Sequence, residues 1–196
     1  MKALILDLRN NPGGLLTAAV EVSEKFIDDG KLVVYTEGRV RNQNMRFSAH
    51  AKKGYSQMPM VILINQGSAS ASEIVAGALQ DWGRATIVGT QSFGKGSVQT
   101  IIPLSDGSGL RLTTAKYFTP KGRSIHGKGI TPDIVVEIPK ETTAARDKDK
   151  QQPSLDPMEE LKKDVQVQRA LDVIKTMRII EQQRPGQNPQ AQVRPQ

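Results

Sequence analysis

Met60-Val61-Ile62-Leu63-Ile64-Asn65-Gln66-Gly67-Ser68-Ala69-Ser70-Ala71-Ser72-Glu73-Ile74 is the stretch around which the rest of the chain is organised. The apolar run Met60 to Ile64 is short and closed by Asn65-Gln66-Gly67, a pattern that predicts a fully buried strand. Ile74 to Trp82 follows as a helix-like run, with Gly83 placed to end it. Ser70 and Glu73 have capping-box spacing, so Ser70 is expected at the N-cap of that helix. A serine there lies at the positive end of a helix dipole, beside backbone N–H groups that have no partner. The same setting suits a nucleophile whose substrate becomes an oxyanion. Taken alone, Ser-x-x-Glu spells a capped helix and nothing more.

A second stretch adds chemistry to the first. In Gly89-Thr90-Gln91-Ser92-Phe93-Gly94-Lys95-Gly96-Ser97-Val98-Gln99, Lys95 is held between two glycines, with Gln99 four positions on. A lysine works as a general base only when neutral, which takes burial or a depressed pKa. Glycines on both sides allow a backbone path that turns the side chain inward. If Val98 onward is a strand, Lys95, Ser97 and Gln99 share one face, and the amide of Gln99 can hold the amine.

Gly-Ser-Ala-Ser-Ala-Ser-Glu-Ile-Val-Ala-Gly-Ala-Leu-Gln-Asp, from Gly67, and Val-Gly-Thr-Gln-Ser-Phe-Gly-Lys-Gly-Ser-Val-Gln-Thr, from Val88, closely resemble the carboxyl-terminal processing peptidases. These tail-specific serine proteases use a Ser-Lys dyad. The resemblance, which runs over roughly residues 3 to 138, implies that Ser70 is the nucleophile, Lys95 the general base and Gln99 the residue that orients the lysine. Spacing alone does not choose Ser70 over Ser68 or Ser72. Asn10-Asn11-Pro12-Gly13-Gly14 is by itself a turn signal. The resemblance implies that this turn gives one N–H to an oxyanion hole, from Gly13 or Gly14, opposite the N–H of Ala71. It also implies polypeptide substrates with unstructured C-termini, and no cofactor or metal.

Around these motifs the chain reads as an α/β domain. Ala3 to Leu8 has a buried-strand pattern, and Leu15 to Asp29 an amphipathic helical one, with Leu15, Ala19, Val22 and Phe26 on one stripe and Gly30 as the stop. Lys31–Glu37 and Asn44–Ala49 form a hairpin pair; Ala85–Val88, Gly96–Leu104 and Gly109–Thr119 are further strands. Gly127 to Val136 resembles the family's closing strand. The resemblance implies a crotonase- or ClpP-like core of twisted strands with two main helices. The catalytic core is expected over residues 1–139, a polar linker over 140–154, a C-terminal helix over 155–183 and a disordered tail over 184–196. Asp156, Pro157 and Glu159 mark the start of that last helix. Met158, Leu161, Val165, Leu171, Ile174 and Met177 form its apolar face, suited to the core or to a homo-oligomer.

Composition removes other classes. With no cysteine among 196 residues, a thiol nucleophile, a disulfide framework and a cysteine-bound zinc are excluded. The formal charge of +7 is scattered, and the few aromatics, three Tyr, four Phe and one Trp, are not interleaved with basic residues. Nucleic acid is therefore not an expected partner. No apolar run reaches membrane-spanning length. No signal peptide precedes the first strand pattern, whereas family members carry an export signal, a helical segment and a PDZ domain upstream. A catalytic core from a longer protein, or a product begun at an internal methionine, is expected, periplasmic or otherwise extracytoplasmic in full-length form.

Two rival readings accompany the peptidase. One is a core that keeps the fold but serves as an inactive binding or scaffold module. The other is a phosphate-binding loop, since Gly89 to Lys95 fits G-x-x-x-x-G-K. Against it, Gly96 stands where a magnesium-binding Ser or Thr belongs, and the residues beyond are β-branched and proline-terminated. His50 and His126 have no carboxylate partner by pattern and read as surface histidines. Asp81, about three helical turns from Ser70, reads as structural.

Overall fold

Every residue of the strand Met60–Ile64 is buried, and the fold is assembled on its two faces. The computed structural model describes residues 1–50, 54–55, 57–138 and 157–183. Among the described residues thirteen elements follow one another: β1 (Leu4–Asp7), α1 (Leu16–Glu24), β2 (Leu32–Gly38), a short 3-10 turn (Arg41–Gln43), β3 (Arg46–Ser48), β4 (Met60–Ile64), α2 (Ala71–Asp81), β5 (Thr86–Gly89), β6 (Ser97–Pro103), β7 (Gly109–Phe118), β8 (Ile134–Val135), α3 (Pro157–Lys163) and α4 (Val165–Gln183). They make one four-stranded parallel sheet, ordered β1-β4-β5-β8, and one four-stranded antiparallel sheet, ordered β3-β2-β7-β6.

Side chains alternate across a strand, so β4 serves two cores. Met60, Ile62 and Ile64 pack with Ile74, Val75 and Leu79 of α2 and with Ala19 of α1. Val61 and Leu63, with Val88 of β5, meet Val167, Ala170 and Ile174 of α4 on the opposite face. A parallel sheet needs cover on both sides, which is why β4 is apolar throughout rather than alternating. Because the strands run parallel, the segments after β1, β4 and β5 all leave at the same edge. Those segments are Arg9–Gly14, Asn65–Ser70 and Thr90–Gly96.

Two helices depart from the expectation. The first is shorter than Leu15 to Asp29: its end is tightened by bonds from Lys25 N–H to Val22 and from Phe26 N–H to Ser23, and Leu15 and Val22 are exposed. Of that stripe only Ala19 is buried within the helix; the other buried helix residue is Ser23, whose hydroxyl donates to Ala19 O at 2.7 Å. The C-terminal helix is two helices. Asp164 interrupts it, and its carboxylate accepts the N–H groups of Gln166 at 3.0 Å and Val167 at 3.2 Å as the cap of α4. That break turns the buried face onto Val167, Ala170 and Ile174 and leaves Leu161, Val165 and Leu171 exposed. The expected cap Asp156, linker 140–154 and tail 184–196 lie outside the described residues.

Arg9 joins α4 to the parallel sheet. Its guanidinium donates to Asp7 at 2.6 Å, to Asp164 at 2.8 Å and to Gln166 Oε1 at 2.9 Å, while Gln166 Nε2 donates to Val136 O at 2.7 Å. Burial works against both charges. For Arg9, hydrogen bonds to Asp7 and Asp164 and the two negative charges outweigh it and hold the pKa above the ordinary value. For Asp164, bonds from Arg9 and Val167 N–H, the Arg9 charge and Gln166 N–H hold the pKa below the ordinary carboxylate range. A lowered carboxylate stabilises the fold above that range, and this stabilisation is lost as pH falls through the lowered value.

Ile174→Ala removes apolar contact between α4 and the sheet without touching Arg9. We expect it to lower unfolding free energy by about 2 kcal/mol, read from urea denaturation. A change under about 0.5 kcal/mol would show that α4 contributes little to the second core.

Candidate active site

Ser70 sits in a strained backbone, with φ 57° and ψ −117°. Among the described residues only Asn10, at φ 55°, is another non-glycine residue in the left-handed region. Such a conformation costs on the order of 1–3 kcal/mol and persists where surrounding bonds enforce it. Here they do. After β4, Asn65 N–H donates to Ser68 Oγ at 3.0 Å, and Ser68 Oγ donates to Leu8 O at 2.7 Å. Ala69 N–H donates to Asn11 O at 3.0 Å, and Ser72 Oγ donates to the same oxygen at 3.1 Å.

The three serines are thereby distinguished. Ser68 and Ser72 are buried with their hydroxyls committed to backbone carbonyls. Ser70 is half-buried, and its Oγ makes no hydrogen bond among the described residues, not even the expected cap bond. Ser70 N–H donates to Glu73 Oε2 at 2.8 Å, the reciprocal bond of the capping box.

Glu73 does more than cap. Fully buried, its carboxylate also accepts Ser92 Oγ at 2.5 Å, Gly94 N–H at 2.6 Å and Lys95 N–H at 2.9 Å. The N–H groups of Ser70 and Lys95 share the oxygen Oε2, so the two nitrogens are no farther apart than these two bonds laid end to end. Four donors on one carboxylate fix the loop after β5 against the start of α2. Ser92 extends the clamp, since its Oγ accepts Ile130 N–H at 2.7 Å. The sequence marked Glu73 only by its cap spacing, and nothing in it marked Ser92.

The lysine loop is shaped by close packing. A Cβ on Gly96 would collide with the backbone nitrogen of His126, so only glycine lets the loop pass the 125–129 segment. The Lys95 side chain itself is exposed, and its amine forms no hydrogen bond with Ser70 or Gln99. Gln99, also exposed, lies on β6 opposite Thr113, where a β-bulge interrupts the β6–β7 ladder. The structure thus brings the backbones of Ser70 and Lys95 together and leaves Gln99 unconnected to either.

The turn after β1 packs directly on the serine. Gly13 has φ 96°, and a Cβ there would lie 2.6 Å from Ala69 O and 2.7 Å from Ala71 N. Its N–H is engaged, donating to Asn11 Oδ1 at 2.9 Å. The N–H groups of Gly14 and Ala71 donate to no hydrogen bond among the described residues. Two further bonds strap this turn to the serine turn, Asn10 N–H to Asn65 Oδ1 at 2.9 Å and Asn65 Nδ2 to Asn10 Oδ1 at 3.0 Å.

The rival features fall elsewhere. After Lys95 the chain enters strand β6, not the helix that a phosphate loop opens. His50 and His126 are exposed. Asp81, at the far end of α2, accepts Lys121 N–H at 2.8 Å and pairs with Arg123, a structural tie. Among the described residues no helix is long and apolar enough to cross a membrane, and no cluster of metal-ligating side chains occurs.

Residues 1–136 match the family model described as "Peptidase family S41", and the chain belongs to that family. Its relatives include a carboxy-terminal-processing protease of Bartonella bacilliformis, 62% identical over 139 residues, covering 71% of this chain and 32% of that protein. A probable CtpA-like serine protease of Staphylococcus aureus is 49% identical over 140 residues, covering 71% of this chain and 28% of its own length. Among solved structures, a photosystem II D1 C-terminal processing protease superposes with a TM-score of 0.65 at 42% identity, covering 70% of this chain and 35% of that one. The chain spans about a third of the length of these relatives.

Glu73→Gln tests the clamp. Glutamine offers one oxygen and turns an NH2 group toward donors that then lack an acceptor. We expect a loss of about 3 kcal/mol in unfolding free energy, against about 1 kcal/mol for Ser92→Ala. Equal stabilities for Glu73→Gln and the parent chain would mean that the carboxylate is not what joins these segments.

Proposed function

We propose that the chain is the catalytic part of a serine endopeptidase that cuts polypeptides near their C-termini through a Ser70–Lys95 dyad. The observation that carries this reading is Ser70: a strained, half-exposed serine whose hydroxyl is unengaged, with its N–H and that of Lys95 on one carboxylate oxygen. Ser70 Oγ attacks the scissile carbonyl while the Lys95 amine takes its proton. The tetrahedral oxyanion is met by the N–H groups of Ala71 and Gly14. Gly14 is preferred over Gly13 because the Gly13 N–H is already bonded to Asn11. The C–N bond then breaks, Lys95 returns the proton to the leaving amine, and water opens the ester by the reverse sequence. Gln99, near the base of the β6–β7 hairpin, orients the lysine.

The preference for C-termini is taken from the relatives' names. An extracytoplasmic setting and a homo-oligomer, using the outer residues Leu171, Ile179 and Ile180 of α4, belong to the same proposal. The alternative is a binding module without activity of its own, favoured by one observation: the Lys95 side chain is exposed and makes no hydrogen bond with Ser70 or Gln99.

Hydrolysis of unfolded casein by the purified chain, with Ser70→Ala and Lys95→Ala beside it, separates the two. Both variants should lose activity by roughly ten-thousandfold with unchanged folding. Lys95→Arg, which keeps the charge but is no base near neutral pH, should be as inactive as Lys95→Ala. Turnover within about tenfold of the parent in any of the three would exclude the dyad. A parent chain that neither cleaves casein nor reacts with a fluorophosphonate at Ser70 would favour the binding module.

A further inference from the structure

The strongest unassigned feature is the ionic knot between the end of β1 and the start of α4. Arg9 is the last residue before the turn that carries Gly13 and Gly14, and its side chain is nearly enclosed. Its Nε and Nη2 hold Asp7 on its own strand, and its Nη1 holds Asp164 and Gln166 at the first turn of α4. The acceptors on α4 lie outside residues 1–136, the span of the family match. We propose that Asp164 and Gln166 are positioning residues for the oxyanion turn, acting through Arg9, so that the docked helix α4 completes the active site. The proposal rests on the reading of Ser70 as nucleophile and of the Gly14 N–H as an oxyanion donor.

The path is short. A guanidinium is planar and its donors point in fixed directions, so partners on both sides fix its position and plane. The next residue, Asn10, holds an unfavourable left-handed conformation. Asn11 then meets the nucleophile turn through its carbonyl, which accepts Ala69 N–H and Ser72 Oγ, and through Oδ1, which accepts Gly13 N–H. A strained turn anchored at its far end by Asn11 needs a fixed near end, and Arg9 supplies it. Without the α4 side of the knot, the Gly14 N–H is no longer held where an oxyanion forms. Misplacements of this kind affect the chemical step more than substrate binding.

Asp164→Asn isolates the coupling. Asn caps a helix as well as Asp does, so α4 keeps its cap. With the amide oxygen used in the cap, the NH2 group faces the Arg9 donors and the ion pair is gone. Arg9→Lys breaks the knot from the other side, because one ammonium cannot reach all three partners. Asp172→Asn, an exposed change on α4, serves as control. In the full chain, hydrogen exchange is followed at residues 9–14 and along α4, together with the rate of fluorophosphonate labelling at Ser70 and kcat and KM on a peptide.

We expect both knot variants to exchange at least roughly threefold faster across residues 9–14, with α4 still protected in Asp164→Asn. Labelling and kcat should fall roughly tenfold or more with KM within about twofold, while the control matches the parent. Parental exchange across 9–14 in Asp164→Asn and Arg9→Lys overturns the proposal, as does faster exchange without slower labelling. If Asp164→Asn loosens α4 as a whole, Arg9→Lys decides. A parent chain that is not labelled would defeat the reading of Ser70, and exchange alone would then judge whether α4 holds the turn.

Discussion

One buried carboxylate sets the geometry of this molecule. The parallel sheet delivers the segments after β4 and β5 to the same edge, but adjacency in a sheet fixes neither the depth nor the orientation of a loop. Glu73 does, because each of its two oxygens takes two donors: Ser92 Oγ and Gly94 N–H on one, Ser70 N–H and Lys95 N–H on the other. Such a group is expensive to bury unless its acceptor sites are filled, so clamp and burial depend on each other. The strained backbone of Ser70 is one result. The N–H of Ser70 is drawn down to Glu73, and the hydroxyl has no cap bond among the described residues.

The second constraint is the two-faced strand β4. Met60, Ile62 and Ile64 are covered by α1 and α2, which belong to the family match, whereas Val61 and Leu63 are covered by α4, which lies beyond it. The parallel sheet needs both covers. The edge carrying Ser70 therefore lies between a helix that begins at the site and a helix tied to it through Arg9.

Much of this was legible in the sequence, and the limits have physical causes. The run Met60–Ile64 could only be a buried strand, and Ser70 with Glu73 marked a helix start three positions from the right cap partner. Spacing did not separate Ser68, Ser70 and Ser72, and only the family resemblance pointed to Ser70; what distinguishes them physically is whether a carbonyl stands opposite each hydroxyl, as it does for Ser68 and Ser72. Gly13 and Gly14 look alike in sequence, and the Asn11 side chain distinguishes them by engaging only the first. The role of Glu73 toward Ser92, Gly94 and Lys95 was invisible because local spacing reports only local bonds. The continuous helix over 155–183 failed at Asp164, an Asp in a helical pattern whose capping role becomes evident once Arg9 is seen beside it. Burial of Lys95, which its chemistry suggested, does not occur in the chain by itself.

The hairpin of β6 and β7 has a consequence of a different kind. β6 is an edge strand, and around the tip of the hairpin Ile101, Leu104, Leu110 and Leu112 are exposed. An edge with open backbone groups and apolar side chains is a template for a like edge on another molecule. What opposes that encounter is the formal charge of +7. Repulsion of this sort acts through solvent and shrinks as the screening length does, from about 30 Å at 0.01 M salt to about 8 Å at 0.15 M. Association through this ribbon is thus governed by ionic strength, separately from the folding stability that the cores provide.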